Sequence, residues 1–403
     1  MPTVDDDLLS DARDHLPALV ELRRRIHRRP ELGLDLPHTQ AAELDALAGL
    51  PLEVHTGTGL SSVVATLRGG AGEGPTVLLR GDMDALPMPE DTGLDFASEV
   101  PGAMHACGHD AHTAMLVGAA RMLAARRDDI AGTVRFMFQP GEEGSGGAPI
   151  MIEEGVLDAP AVDAAFAIHI TPNLPSGWVT TRGGAIMASA DEFAVTVHGR
   201  GGHASTPHFA ADPVPVACEI VGALQTFVTR RIDAFNPAVV TVARIQAGTA
   251  NNVIPAHAEL SGTVRATSER VRTSVHEGIE RLARGIAEAH GMGAEVAINR
   301  GYPVTVNNPA VAATTLEVAT GLFGERAVIE SPSPVMGAED WSYVLQRVPG
   351  AMAFLGVCPP DVPDARQAPA CHSNVMRLDE DAMAAGVALH VAMARRLLAG
   401  VPG

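Results

Sequence analysis

The first part of the chain shows a pattern in which predicted strands and helices alternate. Apolar residues recur at helical spacing in LPALVELRRRIHRRPEL, and PTVLLRGDMDALP indicates a buried strand that runs into a loop. AHTAMLVGAARMLAARRDD predicts a helix, GTVRFMFQPGEEGSGG a strand with a glycine-rich loop, and AAFAIHITPN a further strand. This alternation predicts a mostly parallel sheet covered on both faces, with the ligand site beyond the carboxyl ends of its strands.

From about residue 188 the pattern changes. EFAVTVHGR alternates apolar and polar residues, as a strand with one wet face does, and the following segments predict the order βαββαβ. The earlier pattern returns after residue 300. We therefore expect an α/β protein in which residues 1–187 and 300–403 form a discontinuous catalytic domain. Residues 188–299 would form an inserted α+β, ferredoxin-like domain that serves as lid and dimerisation domain.

Length and composition agree with a folded protein of two domains and narrow the classes of partner. The chain has 403 residues, of which 46% are hydrophobic and 19% charged. Its net charge of -19 opposes binding to nucleic acid and to acidic membranes. No lysine occurs, which excludes lysine chemistry, and no apolar run approaches the length of about 18 residues that a membrane helix needs. We expect a cytoplasmic protein that acts on small molecules.

Residues 104–113, MHACGHDAHT, are dense in chemically active side chains. They contain Cys107 and three histidines. Alone, this stretch is compatible with a metal site, a cysteine–histidine nucleophile or an ordinary polar run. Acidic pairs directly follow two predicted strands, at 82 and 84 and at 142 and 143, and His169 lies inside an apolar strand, where a polar ring requires a partner. Polar groups at successive strand ends can converge on one site.

Four of these side chains, together with His372 near the C-terminus, supply soft, borderline and hard ligands. Such a set suits two divalent transition ions about 3.5 to 4 Å apart. Glu142, which adjoins one of the five, would then take a proton from the attacking water. A cysteine–histidine nucleophile would leave the glutamate pair and His169 unexplained. The five candidate ligands are Cys107, His109, Glu143, His169 and His372.

Several segments carry a specific family resemblance. RGDMDALPMPEDTG, MHACGHDAHTAML, FQPGEEGSGGA, GGHASTPH and MGAEDWSYVLQRVPGA resemble the M20 metallopeptidase family, specifically its amidohydrolase branch. That branch includes hydrolases of hippurate, N-acetyl amino acids and auxin conjugates. The resemblance runs from about residue 15 to about residue 395, with the motifs in the expected order.

The resemblance implies roles for residues of the first domain. The five candidate ligands would hold two divalent ions per subunit (Mn, Zn, Co or Ni), Glu142 would be the general base, and Asp84 the carboxylate that orients a ligand. His105 and His112 have no ligand role in that pattern. Asp82 stands where the peptidase branches carry a metal-binding histidine, which favours the amidohydrolase branch.

In the inserted domain, the resemblance implies that His203 donates a hydrogen bond to the oxyanion, within its own subunit or across a homodimer. Asn252 and Arg265 would hold the substrate carboxylate, and the lid would close about hinges near residues 186 and 300.

The implied activity is metal-dependent hydrolysis of the amide bond of N-acyl amino acids with an acetyl, benzoyl or similar acyl group. A dipeptidase or aminoacylase of the same family is the alternative within this class. A non-catalytic binding protein on the same fold is the alternative from another class. The intact Glu142 argues against such a binder, because it would need the cavity but not the base.

Overall fold

The structure, a computed structural model, describes residues 7–400 and places them in two compact units. The first unit comprises the residues up to Ile186, Val306–Ser333 and the residues from Tyr343 onward. The second unit comprises Met187–Thr305 and Pro334–Ser342. Among residues 7–400, no helix has the length and apolar character needed to cross a membrane.

The strands and helices are numbered in chain order. The strands are β1 (Glu53–Thr56), β2 (Val63–Arg68), β3 (Thr76–Asp82), β4 (Thr133–Gln139), β5 (Ala164–Thr171), β6 (Val179–Thr181), β7 (Gly184–Met187), β8 (Asp191–His198), β9 (Gly202–His203), β10 (Ala238–Ala247), β11 (Val253–Ile254), β12 (His257–Ala266), β13 (Gly293–Arg300), β14 (Thr305–Asn307), β15 (Val328–Glu330) and β16 (Gly350–Gly356). The helices are α1 (Asp7–His27), α2 (Pro37–Leu47), α3 (His109–Ala125), α4 (Gly147–Glu153), α5 (Pro213–Arg231), α6 (Glu269–Ala289), α7 (Pro309–Phe323), α8 (Ser342–Leu345) and α9 (Met383–Leu398).

An eight-stranded sheet forms the centre of the first unit. Its strand order is β1-β2-β4-β3-β5-β16-β6-β15. The four central strands run parallel, because β3 pairs in parallel with β4 and β5, and β16 with β5. Every residue of β3 and β4 is buried, as in strands covered on both faces. The predicted α/β fold with a mostly parallel sheet is therefore confirmed.

The helix α3 is buried on nearly all sides and packs against α1, α9 and β3. Its polar first turn lies inside the protein, where it needs internal partners. The carboxylate of Asp110 accepts hydrogen bonds from Arg23 Nε and from His27 Nδ1, each at 2.8 Å. These two residues belong to the last turns of α1. The contacts fix the beginning of α3 relative to α1.

The second unit contains a four-stranded antiparallel sheet of order β10-β12-β8-β13. The amphipathic helices α5 and α6 pack on it around a separate apolar core. The element order β8-α5-β10-β12-α6-β13 matches the predicted βαββαβ pattern. Asp191, at the start of β8, accepts from Arg272 at 2.5 and 2.9 Å and contacts His276 Nε2 at 2.8 Å. This buried pairing ties the sheet to α6.

Glu43 on α2 is a buried acid of the first unit. Its exposed fraction is 0%, and neither carboxylate oxygen has a hydrogen-bond partner. Burial raises the pKa of Glu43 well above its ordinary value. The nearby hydroxyl of Thr113 opposes this shift. That hydroxyl donates its hydrogen bond to the Asp82 carbonyl at 2.9 Å. Glu43 is therefore protonated in the folded protein over a range of pH in which it is ionised in the unfolded chain.

We predict that Glu43→Gln stabilises the protein increasingly as the pH rises. Because the folded-state pKa is raised, the stability of the wild type is greatest below the unfolded pKa and declines as the pH rises towards the folded pKa. The free energies of unfolding of variant and wild type should diverge by up to about 1.4 kcal/mol per pH unit. Denaturant unfolding at pH 5 and pH 7 measures this. The exposed Glu73→Gln is the control, and a Glu43→Gln difference independent of pH would contradict the assignment.

Candidate metal centre

Candidate residues gather at the carboxyl ends of three neighbouring parallel strands, β4, β3 and β5. Asp82 is the last residue of β3, and Asp84 follows it. Glu142 and Glu143 follow the end of β4, and His169 lies near the end of β5. Because these strands are parallel neighbours, their ends meet at one edge of the sheet.

Gly108 allows the two candidate ligands on either side of it to face this edge. Its φ is 83°, a left-handed conformation that L side chains rarely adopt. A Cβ at this position would lie 2.5 Å from Ile170 Cγ1. Glycine is therefore required between Cys107 and His109, both for the turn into α3 and for the close approach to β5.

The candidate ligands form two groups that share Cys107. The ligand atoms of Cys107, His109 and His169 all lie within 4.8 Å of one another, and so do those of Cys107, Glu143 and His372. Cys107 Sγ is 3.4 Å from His169 Nε2, and His372 Nε2 is 3.2 Å from Glu143 Oε1. This arrangement fits two cations with the thiolate between them.

The tautomers of two histidines suit metal binding. His109 Nδ1 lies 2.8 Å from the Asp84 carbonyl, and His169 Nδ1 lies 2.6 Å from the Ile170 carbonyl. The Nδ1–H group of each ring therefore donates a hydrogen bond to a carbonyl oxygen, so Nε2 is the nitrogen that a cation can bind in place of a proton. Nε2 of His109 is buried without a hydrogen-bond partner. A cation at this position would satisfy it.

The other two histidines of residues 104–113 are not arranged as ligands. His112 Nδ1 lies 2.5 Å from Asp82 Oδ1, and His112 Nε2 accepts the Ile170 N–H at 2.8 Å. Both its nitrogens are thus engaged, and His112 links β3 to β5. His105 is buried with neither nitrogen hydrogen-bonded, and burial lowers its pKa to about 3. It is a neutral ring in the interior.

Asp84 connects the segments that carry the candidate residues. Its two carboxylate oxygens accept the backbone N–H groups of Glu142 and Glu143, at 2.9 and 3.0 Å. Its backbone carbonyl accepts from His109 Nδ1 at 2.8 Å. The sequence motifs implied that the carboxylate of Asp84 orients a ligand. In the structure the carbonyl accepts from His109, the carboxylate oxygen Oδ1 lies 3.6 Å from the same nitrogen, and the carboxylate also positions the glutamate loop.

The centre carries an excess of negative charge. Burial opposes the protonation of His109, but Asp82 and Asp84 outweigh it and raise the pKa of His109 to about 10. Asp82 stays ionised, because Arg80, 2.6 Å away, helps to hold its pKa well below the ordinary value against the effect of burial. Burial, followed by His112, lowers the pKa of His169 to about 3. A divalent cation would replace the proton on His109 and neutralise the carboxylates.

Cys371 lies at the centre although the sequence motifs assigned it no role. Its Sγ is 4.0 Å from the carbonyl oxygens of both Cys107 and Ile170. A hydrogen bond with Cys371, together with burial, raises the pKa of the Cys107 thiol, so Cys107 needs a nearby cation to ionise. The signal in the sequence was the position of Cys371 next to His372.

His372 adopts a strained backbone conformation. Its φ is 68°, which is uncommon for a residue other than glycine, and its N–H donates to the Ala106 carbonyl at 2.8 Å. This bond places the loop after β16 beside the segment before α3. The ring of His372 reaches Glu143 from that loop.

Three candidate residues lie in the second unit. His203 in β9 pairs with Val253 in β11, and the Ala204 N–H donates to the Asn252 carbonyl at 3.1 Å. The structure thus brings His203 and Asn252 onto neighbouring segments. Arg265 lies on β12 and donates to the Val264 carbonyl at 3.2 Å, without a carboxylate partner among residues 7–400.

A comparison with protein-family models decides the family. The model for peptidase family M20/M25/M40 matches residues 78–396. The chain belongs to this family. The predicted membership is confirmed.

Similar proteins of known name indicate the branch of the family to which this M20 protein belongs. It is 40% identical to thermostable carboxypeptidase 1 of Saccharolobus solfataricus over 96% of its own chain and 98% of the relative. It is 39% identical to an N-acetylcysteine deacetylase of Bacillus subtilis, over 84% of this chain and 88% of the relative. It is 36% identical to an IAA-amino acid hydrolase of Arabidopsis thaliana, over 94% of this chain and 85% of the relative. The M20 protein is a metal-dependent amidohydrolase, and the predicted amidohydrolase branch is confirmed.

A solved structure agrees in fold. A Bacillus subtilis protein described as a dinuclear metal binding peptidase from the M20 family superposes with a TM-score of 0.84. It shares 33% sequence identity, and the match covers 96% of this chain and 99% of the other.

We predict that Asp84→Asn weakens metal binding. The amide of asparagine would place its own N–H group against one of the two backbone N–H groups that now donate to Asp84. The glutamate loop would therefore lose one of the hydrogen bonds that hold it. Loss of a residue that positions ligands typically lowers metal affinity by about 10- to 100-fold. Titration of zinc against a competing chelator measures the change, and the exposed Asp129→Asn is the control. Affinity within about twofold of wild type would show that Asp84 does not position the centre.

Proposed function

We propose that this M20 enzyme hydrolyses the amide bond of N-acyl amino acids and releases an amino acid and a carboxylic acid. The observation that carries the proposal is the pair of ligand groups that share Cys107, with Glu142 beside them. The similarity to an N-acetylcysteine deacetylase and to an IAA-amino acid hydrolase supports the substrate class.

The proposed centre holds two divalent ions, and the relative described as dinuclear supports that number. Such ions would polarise the scissile carbonyl and make the attacking water more acidic. Mn, Zn, Co and Ni all accept ligand sets of this kind. The proposed ligands are Cys107, His109, Glu143, His169 and His372.

Glu142 is the proposed general base. It is 7% exposed, and its backbone N–H is bound by Asp84. A carboxylate oxygen of Glu142 lies within 4.8 Å of the ligand atoms of His109 and Glu143. The loop that would present Glu143 as a ligand would therefore also hold Glu142 beside the attacking water. Glu142 would accept a proton from that water and transfer it to the leaving amine.

We predict that Glu142→Gln abolishes turnover while both metal ions stay bound. The amide keeps the shape of the side chain and loses only its basicity. General-base catalysis contributes about 10²- to 10⁴-fold, and more is lost if Glu142 also protonates the amine. The rate of N-acetyl amino acid hydrolysis and the metal content of the variant are the two measurements. Turnover within about tenfold of wild type would refute the assignment of Glu142 as the general base.

His203 is proposed as the donor to the oxyanion. Its Nδ1 accepts the N–H of Ser205 at 3.1 Å, so the neutral ring carries its proton on Nε2. This tautomer suits a hydrogen-bond donor, and a donor of this kind is typically worth about 3 kcal/mol. The family resemblance supports this role, closure of the inserted domain about hinges near residues 186 and 300, and a homodimer.

Arg265 and Asn252 are the proposed groups that bind the carboxylate of the substrate. The guanidinium of Arg265 has no carboxylate partner among the described residues and can pair bidentately with one. In a protein of net charge -19, an anionic substrate needs such a local cation.

We predict that the enzyme requires this carboxylate. An N-acetyl amino acid should be hydrolysed with a far higher kcat/KM than its C-terminal amide, because the capped compound leaves Arg265 unpaired at a cost of roughly 2 to 5 kcal/mol. Arg265→Met should remove the difference between the two compounds. Equal kcat/KM values for the acid and the amide in the wild type would refute this specificity.

A carboxypeptidase is the second candidate, because a relative with that name is 40% identical over 96% of this chain. Both candidates need a free carboxylate on the leaving amino acid and differ in the group on its amine. Hydrolysis of a benzoyl amino acid and of a tripeptide with the same C-terminal residue distinguishes them. A metal-loaded protein that hydrolyses neither compound would instead support the non-catalytic binder.

A further inference from the structure

Four arginines are buried in the described chain, and one of them differs from the rest. Arg23 pairs with Asp110, Arg80 with Asp82, and Arg272 with Asp191. Arg135 on β4 is 5% exposed and has no carboxylate within ion-pair distance among residues 7–400. A buried charge without a partner is costly, and proteins rarely retain one.

Only part of the Arg135 guanidinium is used within the chain. Its Nη1 donates to the carbonyl oxygens of Val156 and Asp158, at 2.7 and 2.8 Å. Its Nε is buried without a partner, and no described group accepts from Nη2. These two donors form one edge of the planar guanidinium. That edge is the one that binds a carboxylate through two parallel hydrogen bonds.

Arg135 lines a cleft of about 280 Å³ in the first unit. The cleft lies between β2, β4 and the segment after α4, away from the strand ends that carry the metal centre. Its wall combines the apolar side chains of Val64 and Met151 with the hydroxyl-bearing Ser62 and Thr66. A small molecule with one polar end and one apolar end matches this wall.

Acidic side chains also line the cleft, and they limit the charge of a ligand. Glu53 is occupied by Arg68 at 2.8 Å and 3.0 Å. Glu154 accepts the N–H groups of Thr58 and Gly59. Asp158 lines the cleft near Arg135 but does not form an ion pair with it. A multiply charged anion would be repelled, whereas a single carboxylate would neutralise Arg135.

We propose that this cleft is a second ligand site, separate from the metal centre, and that it binds small monocarboxylates through the Nε and Nη2 edge of Arg135. The ligand class includes both products of the proposed hydrolysis, but the site does not depend on that reaction. Binding can be measured whether or not the protein hydrolyses an amide.

The test is a titration of the full-length, metal-loaded protein with sodium acetate. Saturation-transfer NMR at constant ionic strength measures the binding. We expect saturable binding to the wild type, weakened by about tenfold or more in Arg135→Met, which loses a charged bidentate partner. Val64→Phe should weaken binding similarly by filling the cleft, without removing the contacts of Arg135 to its two carbonyls. This second variant keeps the test decisive if Arg135→Met does not fold.

Three controls separate this site from other sources of signal. His109→Ala disrupts the proposed metal centre and should retain acetate binding, and Arg377→Met removes a half-buried arginine outside the cleft and should leave binding unchanged. Methylamine, phosphate and L-alanine replace acetate in parallel titrations. Saturable binding of L-alanine, an amino-acid member of the ligand class, would support the proposal. Three outcomes would overturn the proposal. Acetate binding could survive both Arg135→Met and Val64→Phe, it could be lost in His109→Ala, or saturable binding could be found for phosphate but not for acetate.

Discussion

The candidate metal centre depends on the hydrogen bonds that Asp84 makes with two other segments. Its carboxylate accepts the N–H groups of Glu142 and Glu143, and its carbonyl accepts from His109. Asp84, a single residue, thus sets the position of the loop after β4 and the orientation of the first residue of α3. A carboxylate that accepts backbone N–H groups is held more rigidly than one that reaches a flexible side chain, so the spacing of the site is set by the main chain.

Charge explains why the same groups are suited to cations. Asp82, Asp84 and Glu143 surround His109 in the interior, where each charge acts strongly because little water screens it. Arg80 pairs with Asp82, and His372 Nε2 lies 3.2 Å from Glu143. The remaining negative charge is held by a proton on His109 or, in its place, by a cation. The fold therefore carries a site that is electrostatically incomplete without positive charge from outside the chain.

Much of this organisation could be predicted from the sequence, because the apolar runs end where the acidic pairs begin. The strands that end at Asp82 and Gln139 lie in the segments where the hydropathy pattern predicted strands, and the helix predicted from Ala111 begins two residues earlier, at His109. The pattern could not show that the Asp84 carboxylate binds backbone N–H groups, since any main-chain segment offers the same donors. It also could not show that Glu43 or Arg135 is buried, because a single charged residue in a helix or strand is typical of a solvent-facing position.

The two groups that share Cys107 differ in their access to solvent. The side chain of His109 is fully buried, whereas that of His372 is 54% exposed and that of Glu143 is 14% exposed. His372 also arrives on a loop with a strained backbone rather than on a strand or helix. A cation held by Glu143 and His372 would consequently exchange with the medium faster than one held by His109 and His169. The centre would then have one slowly and one rapidly exchanging position, and the metal content of a preparation would depend on its recent buffer at the second position more than at the first.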